Sequence, residues 1–307
     1  MDAAMTPAPS SGERMTTCLR RLIEEPELLV MPGAYDAITA RLAEEAGFRA
    51  VQASGANIVA CHYGVPDYSL VSAREMAEHS GRIAAAVGIP VMGDADTGFG
   101  NAVNAYLTVQ AFERAGAAGV NLEDQVMPKR CGHLEGKTLL PFDEAVAKVA
   151  AACEARTDPD FVINARTDAL AVSGIDEVVR RGNAFLAAGA TMVFVEGVDS
   201  IEVVETAVRR IEGPVAINLV EGGKTPPGLT FTRLQDIGVA RVSLPSTAMQ
   251  AAVAAVRTVF ARVKEADGIE GYSDLLSGFG VAQRLVGRDE IFALEERFMR
   301  PLLEPGD

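Results

Sequence analysis

Nine residues from Lys129 to Lys137, KRCGHLEGK, place a thiol, an imidazole and three cationic side chains beside two glycines. Two carboxylates, Glu123 and Asp124, come shortly before them. Lys129, Arg130 and His133 would pull the Cys131 thiol below its usual pKa of about 8.5, because nearby positive charge favours the thiolate. A thiol poised in this way acts as a nucleophile or as a general acid. The plainer reading is a structural cysteine with basic neighbours, since cysteines are often buried. A glycine-flanked loop rich in cations is a poor place to bury one. Cys18, Cys61 and Cys153 read as structural, Cys61 being the least clear because SGANIVACHYG also leaves a strand end.

A second set is acidic. GDADTGFGN (93–101) puts Asp94 and Asp96 on one face of a strand end. Hard divalent cations take oxygen ligands and keep several waters. An ordinary Asp/Gly turn explains the motif as well as a metal site does, and Glu123 on the next strand tips the balance toward Mg²⁺. GFGNAV lacks the third glycine of a phosphate loop. Zinc is a poor fit, because Cys131 and His133 are two soft ligands where a structural site needs four.

A third set suits an anion. ASGAN (53–57) offers small residues and open backbone N–H groups after a strand, a cradle for a carboxylate. Arg166 can grip a carboxylate through two parallel bonds. The alternative is an ion pair with Asp168. Glu196 and Asn218 would face it as hydrogen-bonding partners, and Asp67 in YGVPDYS adds a further carboxylate.

These sets need elements to hold them. Short apolar runs at 28–33, 49–54, 89–96, 118–124, 160–166, 191–197, 213–219 and 239–245 read as eight strands. Amphipathic stretches separate them, so a parallel α/β sheet follows. An open doubly wound sheet and a closed barrel share that order. Ser54, Asp94, Asp96, Glu123, Arg166, Glu196 and Asn218 all fall at C-terminal strand ends. A barrel gathers those ends on one rim, whereas an open sheet spreads them. The expected fold is therefore a (β/α)8 TIM barrel with extra C-terminal helices. The connection Gln125–Leu139 is longer than a usual βα loop and is expected to act as a lid.

Composition bounds the partners. The 307 residues are 49% hydrophobic with a net charge of −14. No basic stripe invites nucleic acid, and no apolar run is long enough for a membrane span. Four cysteines in such a chain make no disulfide framework, and MDAAMTPAPSSGERM has no apolar signal segment. The expectation is a cytoplasmic protein, with residues 1–20 as a disordered tail and 21–307 as one barrel domain with a C-terminal helical extension.

Together SGA, GVPD, GDADTGFGN, LEDQVMPKRCGH, ARTDA, VEG and INLVEGGKTP resemble the isocitrate lyase / phosphoenolpyruvate mutase superfamily across residues 28 to 303. The resemblance implies a barrel whose last helix is swapped between subunits of a homotetramer. It implies Mg²⁺ or Mn²⁺ on Asp94 and Asp96, with Asp67 and Glu123 acting through waters. It puts a small-molecule carboxylate substrate on the backbone of Ser54, Gly55 and Ala56, and on Arg166, with Arg130, Gly132 and Asn218 as further binding residues. Cys131, Arg166, Glu196 and His133 are the implied catalytic set.

KRCGH resembles the carbon–carbon lyase branch in particular. Cleaving a 2-hydroxy acid leaves a carbanion or aci-carboxylate that must be protonated, and a thiol on a mobile lid can deliver the proton. The flanking cations would stabilise the departing carboxylate and the thiolate left behind. Methylisocitrate lyases carry an aromatic residue where this chain has Gln52, and EFG where it has VEGG. NLVEGGKTP is closer to the branch acting on 2-alkylmalates. The first expectation is thus a lyase for a small substituted malate. Methylisocitrate lyase comes second, and oxaloacetate hydrolysis or decarboxylation third. A phosphonate-processing mutase and a catalytically silent binding protein on the same barrel complete the alternatives.

Overall fold

A computed structural model describes residues 12–132 and 134–299. Eight parallel strands close on themselves in chain order. They are β1 (Leu29–Ala34), β2 (Val51–Ala53), β3 (Val91–Asp94) and β4 (Gly119–Glu123), followed by β5 (Val162–Thr167), β6 (Met192–Val195), β7 (Val215–Asn218) and β8 (Arg241–Leu244). The β1–β8 pairing, with Leu29 beside Arg241, completes the barrel. Every expected strand is present, most of them shorter than the apolar run. Buried strands carry apolar side chains on both faces, so their ends blur into the flanking turns.

The helices begin with α1 (Met15–Glu24), α2 (Ala37–Glu45), α3 (Gly55–Tyr63) and α4 (Ala73–Ala84). The outer layer continues with α5 (Ala102–Ala115), α6 (Phe142–Glu154), the short α7 (Ala169–Ser173), α8 (Ile175–Ala187), α9 (Ile201–Arg210) and α10 (Phe231–Ile237). After β8 come α11 (Thr247–Glu265), α12 (Phe279–Leu285) and α13 (Arg288–Phe298).

One boundary differs from the sequence expectation. Residues 15–20, assigned to a disordered tail, are the start of α1. Its Cys18, Leu19, Leu22 and Ile23 pack with Leu29, Met92, Val162 and Met192 in one buried cluster. A single amphipathic turn pattern near a chain end is easily read as tail, yet it caps an otherwise open end of the barrel core. Residues 1–11 lie outside the described residues. The chain divides into two compact units, split after Met249, the second covering the stretch expected as the C-terminal helical extension. None of α11, α12 and α13 buries a residue.

The lumen is not purely apolar. Alternate strand residues point inward, and Gln52, Asn121, Asn164 and Arg241 meet there, all buried. Asn121 Nδ2 donates to Gln52 Oε1 at 3.0 Å, Arg241 Nη2 donates to the same oxygen at 2.6 Å, and Asn164 Nδ2 donates to Asn121 Oδ1 at 2.7 Å. One step further along the same strands stand Ser54, Glu123 and Arg166. The polar ladder is therefore a floor beneath the strand-end residues.

Candidate active site

β3 delivers Asp94, and the turn after it delivers Asp96. That turn is left-handed at Asp96 (φ 46°), Gly98 (79°) and Phe99 (58°). Left-handed backbone costs a non-glycine residue about 1–2 kcal/mol, so neighbours must hold it. Glu123 N donates to Asp96 O at 2.8 Å, and Ala95 N to Asn121 O at 2.9 Å. Asn101 then caps α5, its side chain accepting from Asn104 N while Asn104 Oδ1 accepts from Asn101 N. The helix start thus fixes the far end of the turn.

The carboxylates are unequally placed. Asp94 accepts from Gly55 N and from Asp96 N, both at 3.2 Å. Asp96 and Glu123 are buried. Burial pushes the Asp96 carboxyl up to about 6, against the pull of Lys129, and holds that of Glu123 well above the usual carboxylate range, against Arg166. Lys129 differs from its expected role. Its buried ammonium reaches Asp67 at 2.5 Å and Asp96 at 2.9 Å, and is committed to carboxylates rather than aimed at the thiol. Coulomb attraction to Asp96, Asp67 and Glu123 overcomes the burial cost and raises its pKa.

Among the described residues, no three Asp, Glu, His or Cys side chains gather closely enough to hold an ion by themselves. The donors of Asp94, Asp96, Asp67 and Glu123 are all hard oxygens. They fit a cation of the Mg²⁺ kind, which takes one or two carboxylates and fills its remaining positions with water and substrate oxygens. They do not fit a cation needing a complete protein cage.

Arg166 is the hub of the opposite side. Its Nε lies 2.9 Å from Asp168 Oδ2 and its Nη2 3.1 Å from Asp168 Oδ1. Glu123 and Glu196 each approach the guanidinium at 3.3 Å. The ion pair with Asp168, posed by the sequence as an alternative, exists. It anchors one edge of the guanidinium, while Nη1 lies 3.3 Å from Glu196. Asn218 Nδ2 donates to both Glu196 oxygens, at 3.1 and 3.3 Å. Ser54, Gly55 and Ala56 stand where β2 gives way to α3, whose first amides face the rim, although the Gly55 amide is already taken by Asp94.

The expected lid is a docked loop. Gln125 pairs with Leu139, and Val126 N donates to Thr138 O at 2.8 Å. Gly132 sits so close to Glu196 that a Cβ would lie 2.2 Å from its Oε1. Only glycine permits that approach. Cys131, the residue before Gly132 on the loop, is half-buried. Arg130 turns outward, its guanidinium donating to Glu135 O at 3.0 Å, so the structure does not bring it to the substrate side. His133 lies outside the described residues.

Two residues of the site escaped the sequence reading. Lys137 is buried and donates to Gly132 O at 2.6 Å and Asp168 Oδ1 at 2.9 Å. It had been counted only as a loop cation, and no spacing rule distinguishes it. Lys148 is buried on α6 and donates to Thr97 O at 2.8 Å. Its signal was available: with Ala145, Val149 and Ala152 it forms an i, i+3, i+4, i+7 face, where a lysine is out of place.

Comparison with known proteins agrees with this arrangement. A phosphoenolpyruvate phosphomutase family model matches residues 19–264. A 2,3-dimethylmalate lyase of Eubacterium barkeri is 39% identical over 91% of this chain and 96% of its own. A 2-methylisocitrate lyase of Aeropyrum pernix is 42% identical over 82% of this chain and 81% of its own. A crystal structure of phosphonopyruvate hydrolase with oxalate and Mg²⁺ superposes with a TM-score of 0.85 at 34% identity, covering 94% of this chain and all of that one, 100%. The extent of the model match and these identities make the chain a member of the phosphoenolpyruvate phosphomutase family, within the isocitrate lyase / phosphoenolpyruvate mutase superfamily.

Proposed function

We propose that this protein is a Mg²⁺-dependent carbon–carbon lyase that cleaves a small substituted malate into a 2-oxo acid, such as pyruvate, and a short carboxylate. The observation that supports the reading most is the seat of Gly132 on Glu196, one residue after Cys131 on the same loop. The 39% identity to a 2,3-dimethylmalate lyase supports the choice of substrate class.

Ser54, Gly55, Ala56 and Arg166 hold the 2-hydroxy carboxylate end, and Asn218 and Glu196 line the side where the departing acid lies. Asp94 and Asp96, with Asp67 and Glu123 behind water, would hold the metal, Mn²⁺ serving as a substitute. The bound metal supplies charge stabilisation for the substrate oxygen that becomes the keto group. The 2-hydroxyl gives its proton to a rim carboxylate, the C2–C3 bond breaks, and its electron pair passes to C3. Cys131 S–H then delivers its proton to that carbon and becomes a thiolate. The docked loop keeps water from taking the thiol's place. His133, two positions after the thiol in sequence, completes the proposed set.

The second reading is a 2-methylisocitrate lyase, favoured by the 42% identity to such an enzyme. A coupled assay of pyruvate release over a panel of 2-alkylmalates, 2-methylisocitrate and oxaloacetate decides between them. Phosphorus-31 NMR of a phosphonopyruvate mixture tests mutase chemistry. Silence on every substrate would leave a binding protein on the same barrel.

We also assign the chain to a cytoplasmic homotetramer built from helix-swapped dimers. α11–α13 expose Phe260, Phe279, Ile291 and Phe298, an apolar series that a second copy would cover. No helix of the described residues is long and apolar enough to cross a membrane.

A further inference from the structure

The turn 94–101 holds two proposed metal ligands in a left-handed backbone, and one buried cation reaches it from outside the barrel. Lys148 comes from α6, and its Nζ donates to the carbonyl of Thr97 at 2.8 Å. Both residues are buried. This is the one hydrogen bond of the Lys148 ammonium among the described residues, and no described carboxylate lies within ion-pairing distance of it. Burial pulls its pKa down, while Glu144, Glu123 and Asp124 pull it up from further away. A buried ammonium with a single neutral partner is an expensive way to fill space, and a methionine would fill it more cheaply. The carbonyl it holds lies between Asp96 and Gly98, both at positive φ. Thr108 Oγ1 holds the next carbonyl, Gly98 O, at 3.2 Å.

We infer that Lys148 is a positioning residue: through the Thr97 carbonyl it locks the turn so that Asp94 and Asp96 face the rim in a fixed relation. The lysine touches neither carboxylate and no reacting atom. Its effect passes through the backbone, as outer partners of metal ligands generally act. The value of the inference for catalysis rests on the metal reading above, whereas its structural content does not.

The test compares wild type, Lys148→Met and Lys148→Gln in two measurements. The first is the Mn²⁺ dissociation constant from the electron paramagnetic resonance of free Mn²⁺. The second is hydrogen exchange of the Gly98 and Glu123 amides, which close the turn onto Ala95 O and Asp96 O, in chelator. Lys148→Met should weaken Mn²⁺ binding about 10–100-fold, the usual range for an outer partner, and speed both exchange rates. Its circular dichroism should match wild type. Lys148→Gln keeps a donor without the charge and should fall between the two.

Mn²⁺ affinity and turn exchange both within about twofold of wild type in Lys148→Met would overturn the inference. If wild type binds no Mn²⁺, the metal reading fails and the exchange arm alone judges the lysine. If Lys148→Met does not fold, Lys148→Gln carries the same comparison. Failure of both to fold assigns Lys148 to the core and also overturns the inference.

Discussion

Lys137 and Asp168 form a buried ion pair at 2.9 Å that joins the Gly132 loop to the strand-end arginine. Asp168 grips Arg166 with both carboxylate oxygens, and Lys137 extends to Gly132 O. Burial opposes the charge on Asp168, but Arg166 and Lys137 outweigh it and hold its carboxyl below the usual range. One carboxylate thus ties the proposed substrate grip to the loop that carries the thiol.

Lys137→Met should cut this tie while Arg166 keeps its hold on Asp168. The loop should unseat in part, and misplacement on the ångström scale costs up to about 10²-fold in turnover. Steady-state kinetics should show the loss mainly in kcat. Limited proteolysis should cut within 126–136 faster than in wild type. Equal proteolysis and equal kcat would separate the ion pair from loop seating.

Cys131→Ala removes the proposed proton donor and leaves the barrel intact. General acid catalysis contributes about 10²–10⁴-fold, and pyruvate release from a 2-alkylmalate should fall by that factor. The substrate dissociation constant should hardly change. Cys131→Ser should fare nearly as badly, because a hydroxyl is a far weaker acid. Any oxaloacetate decarboxylation should survive, since it needs no proton from the thiol to break its bond. An alanine variant within about threefold of wild type would remove the lyase assignment.

Chelation should abolish turnover and spare the fold. Asp94, Asp96 and Glu123 belong to none of the apolar clusters that build the core. The melting temperature in excess chelator should therefore stay within about 2 °C, less than 1 kcal/mol for a domain of this size. Activity should return with Mg²⁺ or Mn²⁺. Full turnover in chelator would end the metal reading.

Cys153 gives a pH prediction away from the site. Burial pushes its thiol up to about 11, opposed by Arg156. The folded chain keeps this proton where the unfolded chain, titrating near pH 9, has lost it. The stabilisation is complete below pH 9 and is lost as pH rises toward 11. Its ceiling is about 2–3 kcal/mol, reduced by the solvent that still reaches the half-buried thiol. Urea titrations at several pH values should show the stability gap between wild type and Cys153→Ala narrowing between pH 9 and 11. A constant gap would mean that the thiol stays accessible to water.

The architecture was legible before any coordinates, because periodicity and strand-end polarity are local properties. Eight apolar runs separated by helical stretches require a parallel sheet, and polar residues at the C-terminal ends of six strands require those ends to converge. The motifs around Asp94, Cys131 and Arg166 carried the family likeness for the same reason, since each is a contiguous stretch. Residues 15–20 were misjudged because nothing near them in the chain reveals the open barrel end that α1 covers.

Only the tertiary structure could say where the charges go. Lys129 looked like a neighbour of the thiol, yet it is spent on Asp67 and Asp96, 62 and 33 positions earlier in the chain. Lys137 reaches Asp168 and Lys148 reaches Thr97 across similar gaps. A long flexible cation chooses its partner by burial and Coulomb energy in the assembled site, and neither quantity exists until distant strands are side by side. Sequence determined which chemistry is present at the rim, and the closed barrel decided which carboxylates are paired and which stand ready to bind.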